Sequence, residues 1–189
     1  MLNKISKIVI IGLVNKKIVE CDKWEIYFYG INLLLTGGID FISMMLIGIL
    51  CNEVIECLVF ILMFIPLRQY TGGCHASTPI KCYISTLLMI TIVLSVIGNV
   101  NFSFSVLSGL FILSGVIIWI LSPVAAKNKP LDDIEKRIYK KKAVSIWGIE
   151  LIAAIICIII RTENLSECIM MAHAVIAVAL VVGKVTERK

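Results

Sequence analysis

Six stretches of this sequence are apolar enough to cross a lipid bilayer, and no other feature limits its folding so strongly. They run over residues 27–50, 54–67, 83–98, 104–121, 144–160 and 168–183. A helix needs about 20 mostly apolar residues to traverse a hydrocarbon layer ~30 Å thick. No water bonds the backbone inside lipid, so each stretch must close its own hydrogen bonds, as a helix does. The second stretch has only about 14 clearly apolar residues, so it is expected to tilt, thin the bilayer or re-enter. Of all residues, 59% are hydrophobic and 16% charged. Soluble domains run at about 45–50% and about 25%. A soluble globular protein, a disordered chain and a DNA-binding domain are thereby excluded, and no nucleic-acid partner is expected. The expected fold class is an all-α integral membrane protein with about six transmembrane helices, forming one membrane domain over residues 1–189.

The few charges are sorted. With a cytoplasmic N-terminus and six alternating spans, 17 of the 18 Lys and Arg residues fall on the inner side, and only Arg161 falls outside. Four or five spans break this pattern. Basic loops stay cytoplasmic, which places both termini and the segments 68–82 and 122–143 there, next to anionic lipid. Residues 1–23 read as an interfacial segment. Lys4 and Lys7 precede an apolar run of seven residues, Lys16 and Lys17 follow it, and no small-residue cleavage site is present. That is poor for a signal peptide. It suits an amphipathic helix with Ile5, Ile8, Val9 and Leu13 in the acyl boundary. Cys21, Cys51, Cys57, Cys157 and Cys168 read as small packing residues. Ala172, Ala174, Ala177 and Ala179 make span six smooth, which suits tight helix packing or a homodimer.

One segment does not read as a plain loop. Between spans two and three, residues 68–82 hold a diglycine, one of the chain's two histidines and two cysteines. A Cys becomes a useful nucleophile when a nearby His takes its proton or a helix N-terminus favours its thiolate. Thr78 is a fair N-cap and Pro79 is favoured at the first helical position. Cys82 then lies in the first turn of span three, where the helix dipole and Lys81 favour thiolate. His75 lies outside that helix. In one continuous helix the two would sit about 10.5 Å apart along the axis, but Pro79 breaks it. Gly72 and Gly73 allow either the bend that returns His75 to Cys82 or a close backbone approach to substrate. The alternative is a flexible loop in which His75 and Cys82 are incidental. Cys74, His75 and Cys82 supply three ligands where a structural zinc site wants four, so no metal and no cofactor are expected.

The string Arg68-x-x-x-Gly72-Gly73-x-His75-Ala76-x-x-x-x-x-Cys82 resembles the signature of the AgrB family, accessory gene regulator protein B. Asn128-Lys129-Pro130-Leu131, ahead of a Lys- and Arg-rich stretch, is a supporting match. The resemblance extends over nearly the whole chain. It implies a membrane cysteine endopeptidase of the bacterial cell membrane that processes a quorum-sensing pro-peptide, AgrD-like. His75 would deprotonate Cys82, and Cys82 would attack the scissile carbonyl to leave an acyl-enzyme thioester. An internal Cys or Ser of the substrate would then close a thiolactone or lactone.

Supporting roles are less defined. Arg68 either assists the transition state or anchors its segment at the interface. Backbone amides near Gly72 and Gly73, or at the start of span three, could form an oxyanion hole. Glu150, near the inner end of span five, is the better-placed candidate to orient His75. The alternative is a helix-to-helix hydrogen bond or snorkelling. The basic loop at 127–142 carries seven cations, among them Lys129, Lys140, Lys141 and Lys142, against three carboxylates. It either sets orientation on anionic lipid or also docks an acidic tail of the pro-peptide. The competing class is a small transporter or structural membrane subunit. Only Asp40, with Gly37 and Gly38 in span one, resembles the polar midplane that a transporter needs.

Overall fold

The computed structural model describes residues 2–74, 78–100, 102–125 and 131–187. Among them it is all-helical: α1 (Leu2–Asn15), α2 (Trp24–Leu50), α3 (Val54–Thr71), α4 (Pro79–Asn99), α5 (Phe104–Leu121), α6 (Asp133–Ile159) and α7 (Glu163–Glu187), with a short 3-10 turn at Cys21–Lys23. Six of these, α2 to α7, are long and apolar enough to cross a membrane, which makes this a multi-pass membrane protein. The second span is no exception. Helix α3 has 18 residues and runs on through Pro66, about 27 Å at 1.5 Å per residue.

The chain divides into two compact units, Met1–Leu46 and Ile47–Lys189. In the first, Ser6 Oγ donates to Asn32 Oδ1 at 2.8 Å, tying α1 to α2. Ile5, Ile8 and Val9 of α1 are exposed.

In the second unit α7 is the central helix. It packs on α3, α4, α5 and α6, and half of its apolar window is buried. The alanines explain this, since small side chains let neighbouring backbones approach. Two apolar clusters form around it. One gathers Leu67, Ile118, Val124, Ala143, Ile176 and Leu180; the other gathers Leu107, Phe111, Ala154, Ile169 and Met170. The outward faces carry exposed Ile, Leu and Val instead of charge, as lipid-facing surfaces require.

One expectation needs correction. The hydrophilic interruption at 122–143 is not loop throughout, because α6 already begins at Asp133. The cause is a capping box. Asp132 Oδ1 accepts from the Glu135 amide at 2.6 Å, and Glu135 Oε2 accepts from the Asp132 amide at 3.3 Å. Two orphan donors of the first turn are thereby satisfied. Lys136, Arg137 and Lys140 to Lys142 therefore project from a helix, and Lys136 pairs with Asp133 at 3.2 Å.

Candidate functional site

Helix α4 starts as its sequence dictates. Thr78 is the N-cap, with extended backbone and a side chain that accepts from the Lys81 amide at 3.3 Å, and Pro79 takes the first helical position. The Cys82 amide donates to the Thr78 carbonyl at 3.0 Å. Cys82 thus sits in the first turn, and it is exposed.

The approach to this turn is held from three directions. Arg68, in the last turn of α3, donates through Nη1 to the Gly72 carbonyl and through Nη2 to the Cys74 carbonyl. The Cys74 amide donates to Ala179 of α7 at 3.0 Å. Val124, just past α5, donates to Thr71 at 2.9 Å and accepts from Gly73 at 3.4 Å. Only glycine fits this path. Gly72 and Gly73 have φ of 69° and 121°, which side chains resist. A Cβ on Gly72 would strike the Val124 carbonyl, and one on Gly73 would lie 2.9 Å from the Ala179 oxygen. The close approach is to the protein's own backbone. Gly72, Gly73 and Cys74 all spend their amides within the fold. The start of α4 is no freer: Pro79 has no N–H, and Thr78 takes the amides of Lys81 and Cys82, so neither stretch stands out as a source of oxyanion donors. Arg68 has the geometry of a positioning residue, gripping two carbonyls with its planar fork.

Gly183 is a residue that sequence reasoning missed. A Cβ there would lie 2.6 Å from the Cys74 amide nitrogen and 2.7 Å from the Gly73 carbonyl carbon. With Ala179 it forms a small-x-x-x-small pair on α7, the seat over which residues 73–74 pass. The smoothness of span six was visible in its alanines, but not what crossed it.

A cavity of about 450 Å³ opens between α3, α4 and α7, and Arg68, Cys74 and Cys82 all line it. His75, with Ala76 and Ser77, lies outside the described residues, as does Lys129. Cys74, the residue before His75, faces the same cavity as Cys82.

The other candidates divide. Lys142 places its ammonium 4.9 Å from the Tyr70 ring, two residues beyond Arg68, and Tyr70 meets Tyr139 edge-on at 5.7 Å. Lys140 lies 6.0 Å from the Trp119 ring, and Lys141 is exposed. The basic turns of α6 thus share the end of the bundle that holds Cys82. Glu150 has a different partner. Its Oε2 lies 2.9 Å from His173 Nε2 on α7, and both side chains are buried. His173 Nδ1 is 2.7 Å from the Ile169 carbonyl, which can only accept, so that nitrogen carries a proton. Phe111 closes the pair edge-on at 4.6 Å. This geometry supports the helix-to-helix hydrogen bond as the reading of Glu150.

Known proteins converge on one family. The family model for accessory gene regulator B matches residues 3–181. A putative AgrB-like protein 2 of Clostridium perfringens (strain 13 / Type A) is 29% identical over 168 residues, covering 85% of this chain and 78% of its own. Accessory gene regulator protein B of Staphylococcus aureus (strain Newman) is 27% identical over 139 residues, 74% of this chain and 71% of its own. No solved structure matches. With a multi-pass helical fold and Arg68, Gly72, Gly73 and Cys82 of the motif gathered at one end of it, this chain belongs to the accessory gene regulator B family.

Proposed function

We propose that this chain is a membrane-embedded cysteine endopeptidase that cleaves an AgrD-like quorum-sensing pro-peptide and closes the released end into a ring. One observation carries the reading: Cys82 stands exposed in the first turn of α4, in a cavity also lined by the residue that precedes His75. His75 takes the Cys82 proton. The thiolate attacks the scissile carbonyl and forms a tetrahedral oxyanion. The C–N bond breaks, the C-terminal fragment leaves with the proton from His75, and a thioester remains on Cys82. A Cys or Ser within the bound fragment then attacks that thioester, which frees Cys82 and yields a thiolactone or lactone. Exchange of one thioester for another needs no ATP. Water must stay out for the ring to win over hydrolysis.

The cation distribution supports a cytoplasmic location for this end in the bacterial cell membrane. Arg68, Lys81, the α6 cations and Lys184 gather there, whereas Arg161 lies in the turn at the other end of α6 and α7. An unexported pro-peptide would meet the site on that face.

Co-expression with the pro-peptide, followed by mass spectrometry of products, tests the reading. Wild type is expected to give the C-terminal fragment and a cyclic product. Cys82→Ala and His75→Ala are expected to give neither, and Cys82→Ser to give little. Cleavage that survives Cys82→Ala overturns it.

A further inference from the structure

The cavity continues well below Cys82, and its lower part has its own chemistry. Cys82, Ser85, Thr86 and Met89 of α4 all line it. Their spacing of three, four and seven makes one stripe along the helix, about 10.5 Å from first to last. Down this stripe the surface changes from polar to apolar. At the mouth stand Arg68 and the two thiols. Next come two hydroxyls that are already engaged: Ser85 Oγ donates to the Lys81 carbonyl at 2.7 Å and Thr86 Oγ1 to the Cys82 carbonyl at 3.0 Å. The floor is Phe64, Met89 and Val175, with no charge and no free donor. Phe64 is fixed by stacking on Phe60, ring centroids 5.4 Å apart. Met89 is flexible, the residue type that adapts to fill irregular space.

We infer that this floor is the specificity pocket for the residue whose carbonyl Cys82 attacks, and that it takes an uncharged apolar side chain sized by Met89 and Phe64. The inference rests on the reading of Cys82 as the nucleophile. A chain whose carbonyl reaches the Cys82 sulfur has its adjacent side chain within a turn or two of α4, and the cavity that Cys82 lines offers unfilled volume at that depth. A carboxylate or ammonium placed there would lose its water and gain no partner, at a cost that rises steeply with burial. Arg68 does not relieve this, because it sits at the mouth with both Nη groups on backbone carbonyls.

The test uses the full chain in detergent and N-acetyl-aminoacyl chloromethyl ketones bearing the side chains of Ala, Leu, Phe and Asp. Attack by the Cys82 thiolate displaces chloride and leaves a thioether, and peptide mapping by mass spectrometry locates the adduct. Wild type is expected to label at Cys82 about ten-fold faster with the Leu or Phe reagent than with the Asp reagent, the effect of one unpaired buried polar group. Met89→Phe is expected to slow the Phe reagent about five-fold through overpacking while leaving the Ala reagent and iodoacetamide unchanged. Phe64→Ala acts in the opposite direction, favouring the larger reagents, and decides the matter should Met89→Phe disturb the helix. The same reagent order in wild type and in both variants overturns the pocket. Loss of pro-peptide cleavage in Cys82→Ala is scored separately, so a failed pocket and a failed nucleophile give different results.

Discussion

At the scale of single residues, backbone geometry around Cys74 sets the sharpest expectations. Gly183 touches no substrate, yet a methyl there would push on the Cys74 amide and the Gly73 carbonyl. Gly183→Ala is expected to reduce pro-peptide cleavage about ten-fold, the rate equivalent of about 1.4 kcal/mol of misplacement. Protein level and Tm in detergent are expected to change little. Arg68→Lys should behave alike, because one ammonium cannot hold the Gly72 and Cys74 carbonyls as a guanidinium does. Retained cleavage in both variants would show that the 72–74 path need not be held. These residues differ in how far their sequence announced them. The places of Thr78, Pro79 and Cys82 at the start of α4 were legible because capping is local and is set by neighbours in the chain. Gly72 and Gly73 were legible as permissive positions, but what they approach was not. Gly183 gave no sign, since no local rule tells which backbone crosses a helix more than a hundred residues later.

At the scale of elements, α6 and α7 carry the expectations. The start of α6 reads as loop in the sequence because its cations mask the Asp-x-x-Glu cap that the same stretch displays. Asp132→Ala is expected to cost about 1 kcal/mol of local stability, seen as faster amide exchange over 133–140 and little change beyond. The cations on those turns bear on substrate. Reversing the charge of Lys140, Lys141 and Lys142 is expected to weaken binding of an acidic-tailed pro-peptide, with protein level and orientation unchanged. Unchanged binding would leave these residues to the lipid surface alone. Deeper in the bundle, Glu150→Leu strands the buried Nε2 of His173 and is expected to lower stability by about 3 kcal/mol or more. Glu150→Leu with His173→Phe removes both polar groups and is expected to recover most of that loss. A double variant as unstable as the sum of its parts would mean that the pair does more than join α6 to α7.

At the scale of the whole molecule, the six spans were readable because hydrocarbon allows so few structures. The central place of α7 was only half readable. Its alanines announced close packing, but the choice between neighbours and a second copy of the chain depends on contacts that no composition reveals. The gathering of cations at the Cys82 end gives an orientation to test in intact cells. Single cysteines at Arg161 and at Lys141, in a background without other exposed thiols, are expected to differ toward a membrane-impermeant maleimide. Position 161 should label at once and position 141 only after permeabilisation, and the reverse pattern would invert the topology.

The walls around the cavity are not equally held. Residues 72–74 are tied to α3, to α7 and to the stretch after α5, whereas α4 packs mainly on α3 and α7 and turns much of its surface outward. On the proposed reading of Cys82, a bound peptide meets a jaw with one held wall and one less constrained. A jaw of that kind reads a few positions closely and is indifferent to length, so the proposed activity would extend to pro-peptides of differing size that present the same bite.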